Sequence, residues 1–239
     1  MLQTQTVTAE TLALTKRLMA DPNLADFILV GGTALALTIG HRQSIDIDLF
    51  TDRSFDAQAI ASILEKDYAA KFTRVLKNGV FCSIEGVKTD LISHQYPHIN
   101  SPETIEGIRI MSLPDIAAMK LHAIVQSGAR VKDFADIYFL LEKMPLSKMY
   151  EAYEEKYYPD VIRQMARSGL QDHSRINFKE EVMLVNNVFD WGKVAARIQK
   201  AVEHPSITFE TNQTQQKQLQ QQQVQRRQRK QGKRRGFGH

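Results

Sequence analysis

Residues 30–50 read VGGTALALTIGHRQSIDIDLF, and the order of elements in that stretch decides the fold. Phe27, Ile28, Leu29 and Val30 form a short apolar run suited to a buried strand. Gly31-Gly32 breaks it. Residues 33–39 then read as a short helix with Gly40 as its C-cap. Residues 45–50 alternate, with Ile45, Ile47 and Leu49 on one face and Asp46 and Asp48 on the other. Two acids at i and i+2 on a strand leave from the same face, about 7 Å apart at a rise of ~3.3 Å per residue. Charges that close repel, and each raises the other's pKa unless a cation lies between them.

Mg²⁺ meets that need. It prefers oxygen ligands and commonly takes one or two carboxylates together with substrate phosphates, and paired ions can clamp both oxygens of an in-line displacement. A third carboxylate usually completes such a site. Asp90, in GVKTDLIS, is the candidate, because it lies on an apolar-flanked strand able to pair beside residues 45–50. Asp46, Asp48 and Asp90 are therefore the expected metal ligands. Gly31 and Gly32 let the backbone approach a ligand closely, and the helix that follows offers free N–H groups to phosphate. Thr33 adds a hydroxyl, and Arg42, between the two motifs, is placed to neutralise triphosphate charge.

Outward from this centre, residues 9–20 read as a helix ending at Asp21-Pro22, and residues 55–70 as another. Residues 72–77 and 80–85 flank Asn78-Gly79, a strong hairpin signal. Residues 87–93 and 108–111 add strands. From Ser112 the pattern turns helical: Ser112-Leu-Pro-Asp115 is a capping box with proline in the first turn, and helices continue to about Glu203. The fold class is α+β, with a mixed-sheet domain at 1–111, a helical domain at 112–209, and a Gln/Arg-rich tail at 210–239 with too few apolar anchors to fold.

The chain has 239 residues, 43% hydrophobic and 24% charged, values for a protein with a real core. No apolar run reaches the roughly 20 residues of a membrane helix, and the first residues lack the basic and apolar regions of a signal peptide. Cys82 is the sole cysteine, so there is no intrachain disulfide and no cysteine zinc site. A cytoplasmic, reducing setting is expected, with no membrane partner. His94 and His98 are four apart, but Pro97 forbids the helix a metal pair would need. The net charge of +4 is misleading. Residues 211–239 hold eight of the 31 Lys/Arg and none of the 27 Asp/Glu, so residues 1–210 carry 23 against 27, or −4. The tail arginines (226, 227, 229, 234 and 235) suit RNA phosphates, or simply solubilise the chain.

A Gly-Gly pair, thirteen residues, then Asp-Ile-Asp-Leu resembles the signature of the DNA polymerase beta-like nucleotidyltransferase superfamily. GGTALAL…GHRQSIDIDLF, followed by DIAAMKLHAI and GARVKDFADIYFLL, is similar to its AbiEii/AbiGii toxin branch; the matches span residues 29–141. The resemblance implies a palm-like sheet domain and Mg²⁺-dependent transfer of a nucleoside monophosphate from an NTP to an acceptor hydroxyl. Gly31, Gly32 and Thr33 match the phosphate-binding turn, Asp46 and Asp48 the metal ligands, and Asp90 the third acid. Lys120 matches a lysine that faces the nucleotide. Asp133 matches an acid that orients or deprotonates the acceptor, and Asp136 its companion, with Lys132 alongside. The chain departs from the branch at Ser127, where arginine is usual before glycine. The resemblance further implies the toxin of a toxin–antitoxin or phage-defence pair, with an antitoxin protein as partner and RNA, such as tRNA, as acceptor. Two other readings stand beside it: a small-molecule or protein acceptor, and a non-catalytic nucleotide-binding module on the same fold. Plainer roles also exist for the acids, Asp90 pairing with Lys88 and Asp133 with Arg130.

Overall fold

A computed structural model describes residues 1–157 and 162–210. The basic segment 211–239, with the arginines expected at RNA, lies outside the described residues. The order is α1 (Ala9–Ala20), β1 (Ile28–Leu29), α2 (Gly31–Ile39), β2 (Ile47–Thr51), α3 (Ala57–Tyr68), β3 (Lys71–Leu76), β4 (Gly79–Ile84), β5 (Val87–Ser93), β6 (Glu103–Ile105), β7 (Ile108–Ile110), α4 (Leu113–Gln126), α5 (Val131–Leu140), α6 (Leu146–Tyr157), α7 (Ile162–Gln171) and α8 (Trp191–Glu203). The α+β class follows, with strands confined to the first half and helices filling the second.

The strands form one mixed sheet in the order β3-β4-β5-β2-β1-β7-β6. Two pairings are parallel, β2 with β5 and β1 with β7, and the rest are antiparallel. Period-two alternation gives the sheet two unlike faces. Ile47, Leu49, Leu91, Val80 and Cys82 are buried on one of them, where α3 packs against β3 and β4. Asp48, Phe50, Phe81 and Ser83 occupy the other face and stay partly open.

Caps and turns punctuate the chain where side chains supply them. Thr8 and Asp56 accept backbone N–H groups at the starts of α1 and α3. Ser112 does so for α4 by accepting from Asp115 N–H. Asp115 also binds Lys156 Nζ at 2.8 Å and the amides of Ile99 and Asn100 at 3.1 Å, tying α4 to α6 and to the loop after β5. The buried apolar side chains form one continuous cluster running from Leu2 to Val202, so the sheet and the helices share a core.

Three local expectations shift. Gly31 and Gly32 do not merely break a strand; they are the first turn of α2, entered with Gly31 at φ +70°. The hairpin around Asn78 turns at residues 77–78, with Leu76 opposite Gly79, so Gly79 belongs to β4. The turns that need left-handed residues are Glu85-Gly86 (φ +53° and +83°) and Glu106-Gly107 (φ +52° and +84°). Each joins antiparallel strands through a two-residue, type I′ connection. The second creates β6, a strand too short and too polar to show in the periodicity.

Candidate active site

Parallel pairing sets Asp48 directly opposite Asp90, flanked by Ile47 opposite Thr89 and Leu49 opposite Leu91. The two carboxylates thus rise from neighbouring strands on the open face, with Asp46 two residues before Asp48. The Thr33 hydroxyl bonds the Asp46 carbonyl and lies 2.9 Å from Ser44 Oγ. Thr33 is buried, and these bonds fix the entry into β2 rather than reaching outward.

The first turn of α2 lies directly on the acids. A Cβ on Gly31 would come 2.5 Å from Asp48 Oδ2, and one on Gly32 would collide with Arg42 Nη2. Both glycines are demanded by close approach, and Gly31 by its left-handed backbone as well. The first N–H groups of a helix have no partner inside it, and the dipole there favours negative charge. Gly31→Ala is therefore expected to cost ~1–3 kcal/mol of strain and to displace Asp48. A lowered melting temperature together with at least about tenfold slower transfer, each tenfold being ~1.4 kcal/mol, checks it; a fully active, equally stable variant refutes it.

Burial pushes the Asp48 carboxyl above its ordinary range, and the charges of Asp90 and Asp46 add to that, opposed by Lys88 and Lys120. Lys88 Nζ bonds Asp90 Oδ2 at 2.6 Å while the lysine itself is largely exposed. Asp90 Oδ1 is buried with no hydrogen-bond partner. The site thus concentrates negative charge, leaves one acceptor unsatisfied, and holds one exposed cation at its rim. Those features suit a divalent cation. Among the described residues, no three such side chains stand in ligand arrangement.

Beneath the acids lies a second layer. Arg42 directs Nε and Nη2 to Asp136 at 2.6 and 3.0 Å. His41 Nε2 lies 2.8 Å from the same carboxylate. Lys120 Nζ reaches Asp136 at 2.7 Å and Asp133 at 2.8 Å. All five side chains are buried. Burial alone would raise Asp136, but Arg42, Lys120 and His41 outweigh it and hold its carboxyl well below the usual range. Arg42, expected at the triphosphate, lines the recess at Gly32 while its guanidinium is held by Asp136. Lys120 and Asp133 bind each other, so Asp133 pairs with Lys120 and not with Arg130. The structure sets Asp48 opposite Asp90, with Asp46 and Asp48 lining one recess and Asp90 another, and pairs Lys120 with Asp133 and Asp136 as a buried ionic floor.

Three contributors carry little signal in the sequence. His41 is an ordinary polar residue by pattern, yet it joins the floor. Ser44 is a loop serine that holds Thr33. The segment around 183–185 crosses the loop carrying Arg42, with Gln43 N–H bonding the Met183 carbonyl at 2.8 Å and Val185 N–H bonding His41 at 3.1 Å. It helps wall a recess with Gly32, Ser44, Asp46, Asp48, Arg130 and Lys132.

The chain is 36% identical over 138 residues, 55% of its length, to the uncharacterized protein aq_aa25 of Aquifex aeolicus strain VF5, and the match spans 66% of that relative. Its fold resembles that of MenT4, a nucleotidyltransferase toxin from Mycobacterium tuberculosis H37Rv, with a TM-score of 0.56 at 12% identity over 82% of this chain and 84% of that one. The family model described as nucleotidyl transferase AbiEii toxin, type IV TA system, matches residues 13–204. The chain belongs to the AbiEii family of nucleotidyltransferase toxins.

Proposed function

We propose that this toxin transfers a nucleoside monophosphate from an NTP to a hydroxyl of an RNA acceptor, tRNA being the leading example, in the cytoplasm and with Mg²⁺. The observation that carries the reading is the register of Asp48 against Asp90 beneath the Gly31-Gly32 helix start. Asp46, Asp48 and Asp90 would hold the metal; when bound, Mg²⁺ neutralises phosphate charge as the displacement proceeds. The α2 amides of Gly31, Gly32 and Thr33 receive the triphosphate, with Arg130 and Lys132 on the same recess. The acceptor oxygen bonds the α-phosphorus, the bond to the β-phosphate breaks, and pyrophosphate leaves. Catalysis rests on positioning and charge rather than on a covalent intermediate.

In this reading Arg42, Lys120, Asp133 and Asp136 act from below, fixing the α2 start and the strand that carries Asp48. Residues 1–111 supply the transfer site and 112–209 the helical wall, and an antitoxin protein is the regulatory partner of the type IV pair. Among the described residues no helix is long and apolar enough to cross a membrane.

The test is incubation with each labelled triphosphate, Mg²⁺ and total RNA, comparing the wild type with Asp48→Ala. Label should enter RNA in the wild type only. Label appearing instead in a protein or small molecule moves the acceptor. Nucleotide binding that needs no metal and survives Asp46→Asn, with no transfer, replaces the enzyme by a binding module.

A further inference from the structure

The sheet face that carries Asp48 and Asp90 does not end there. Strand pairing continues it outward: Asp48 lies opposite Asp90, Asp90 opposite Phe81, and Phe81 opposite Arg74, across β2, β5, β4 and β3. One row along, Lys88 lies opposite Ser83 and Ser83 opposite Lys71. The back of this region is closed, because Val80, Cys82 and Ile84 are buried where α3 packs. The front is open. Thr73, Arg74, Phe81, Ser83, Lys88 and Asp90 line a recess on it, and the Arg74 guanidinium sits 4.8 Å from the centre of the Phe81 ring.

Charge marks this face out. Residues 71–84 contain Lys71, Arg74 and Lys77 and no acid, although residues 1–210 carry a net negative charge. Among the described residues, none of those three cations forms an ion pair. The recess that holds the α2 start lies on the other side of Asp48, with Gly32, Ser44 and Lys132. Two recesses therefore meet at the Asp48–Asp90 pair. One has the helix amides suited to a triphosphate. The other has an aromatic ring and an unpaired guanidinium plane, with Lys71 one row along the same face.

We infer that the open β3–β4–β5 face is the acceptor track, which takes the end of a single-stranded RNA and delivers its terminal hydroxyl to Asp90. The inference rests on the transfer reading above and names where its acceptor lies. Unpaired bases stack on aromatic rings and on arginine planes, while lysine and arginine follow the phosphates. Phe81 and Arg74 supply the first, Lys71 and Arg74 the second. The terminal oxygen then bonds the α-phosphorus, pyrophosphate departs with the electron pair of the broken bond, and the hydroxyl proton passes to water.

The experiment uses the full chain and a 5′-fluorescein single-stranded RNA of twelve nucleotides with 4-thiouridine next to its free end. Lys71→Glu/Arg74→Glu and Phe81→Ser are compared with a control reversal, Lys16→Glu/Lys193→Glu, at exposed residues on α1 and α8. The track variants should bind the RNA at least about tenfold more weakly, in line with stacking and phosphate contacts, and lose acceptor kcat/KM in step. The KM for NTP should stay within about twofold, which also reports that the fold is intact. Light should cross-link the wild type through the tryptic peptide NGVFCSIEGVK, residues 78–88. Because that cross-link is read in the wild type, it decides even if a variant misfolds. Cross-links confined to other segments, an equal loss in the control, or RNA affinity unmoved by the track variants overturns the inference while leaving the enzyme standing. Transfer to a protein or small molecule in place of RNA overturns it too. A wild type that neither binds NTP nor transfers it is a different result, and removes the transfer reading itself.

Discussion

Asp48→Asn is expected to abolish nucleotidyl transfer, by about 10³-fold or more, and at the same time to make the ligand-free protein more stable at neutral pH. The first effect follows from charge. A divalent cation at phosphate contributes several kcal/mol of transition-state stabilisation, and each ~1.4 kcal/mol is tenfold in rate; a neutral amide at the centre of the acid group forfeits most of that. The second follows from the direction of the Asp48 shift. Burial, with Asp90 and Asp46, raises its carboxyl in the folded protein. A group raised on folding contributes stability below its unfolded pKa, near 3.9, and loses it as pH rises through the folded value. At neutral pH the ionised Asp48 therefore works against the fold, and asparagine relieves it. Melting curves should show the variant above the wild type at pH 7, each kcal/mol of relief being about 2–4 °C at this chain length, with the gap closing below about pH 4. Mn²⁺ or Mg²⁺ should raise the wild-type curve and leave the variant nearly still. A variant that melts lower than wild type at pH 7, or one that still transfers, contradicts this account of the site.

The same trade of stability for function explains which parts of the molecule were readable in its sequence. The Gly-Gly pair and the alternating acids are local, and their spacing showed a helix after the glycines and a strand carrying Asp48, though α2 begins two residues earlier, at Gly31, and β2 begins at Ile47, after Asp46. The hairpin at Asn78 was legible as a hairpin, but not its register, because Asn-Gly signals a left-handed turn that the chain places instead at Glu85-Gly86 and Glu106-Gly107. Glycine after glutamate is a weaker local cue than glycine after asparagine. The pairing of Asp48 with Asp90 spans about forty residues and could be proposed from type and flanks, whereas its register comes only from strand pairing. The ionic floor was the least legible part. His41, Arg42, Lys120, Asp133 and Asp136 come from three separate segments, and each looks solvated by its own neighbours' periodicity. Lys120 and Asp133 lie on amphipathic helices whose polar residues normally face water; here those polar positions are buried because α4 and α5 pack against each other. The open β3–β4 face was invisible for the converse reason. Phe81 on an alternating strand reads as core, and only the pairing shows it on the uncovered side.

Asp136→Asn tests that floor, and it is the substitution expected to cost most stability. The cluster holds two cations, Arg42 and Lys120, against two carboxylates, Asp133 and Asp136, with His41 added. All are buried. Neutralising Asp136 leaves an uncompensated buried positive charge and presents amide hydrogens to donors. Breaking one partner of such a pair typically costs ~3–5 kcal/mol, roughly 6–20 °C in melting temperature for a chain of this size. Adding Lys120→Met restores the balance of charge and should recover part of the loss, with a coupling of at least about 1 kcal/mol. The pH dependence follows from the signs. The Asp136 carboxyl is held well below its ordinary value, so its contribution is present above its unfolded pKa of about 3.9 and disappears as pH falls through the lower folded one. The His41 imidazole is lowered chiefly by burial, with Arg42 and Lys120 adding and Asp136 opposing. His94 is lowered to about 4 by burial first and by Lys156 next. Both histidines therefore stabilise above about pH 6.5, their unfolded value, and withdraw that support as pH falls, His94 over the interval down to about 4. Wild-type melting temperature should begin to fall below about pH 6.5 and fall again below about pH 4, while Asp136→Asn keeps the first step and shows a smaller second one, which the Asp115 carboxyl, also held below its ordinary range, still supplies. An Asp136→Asn protein as stable as the parent would mean that these five side chains do not form the charged floor on which Asp48 stands.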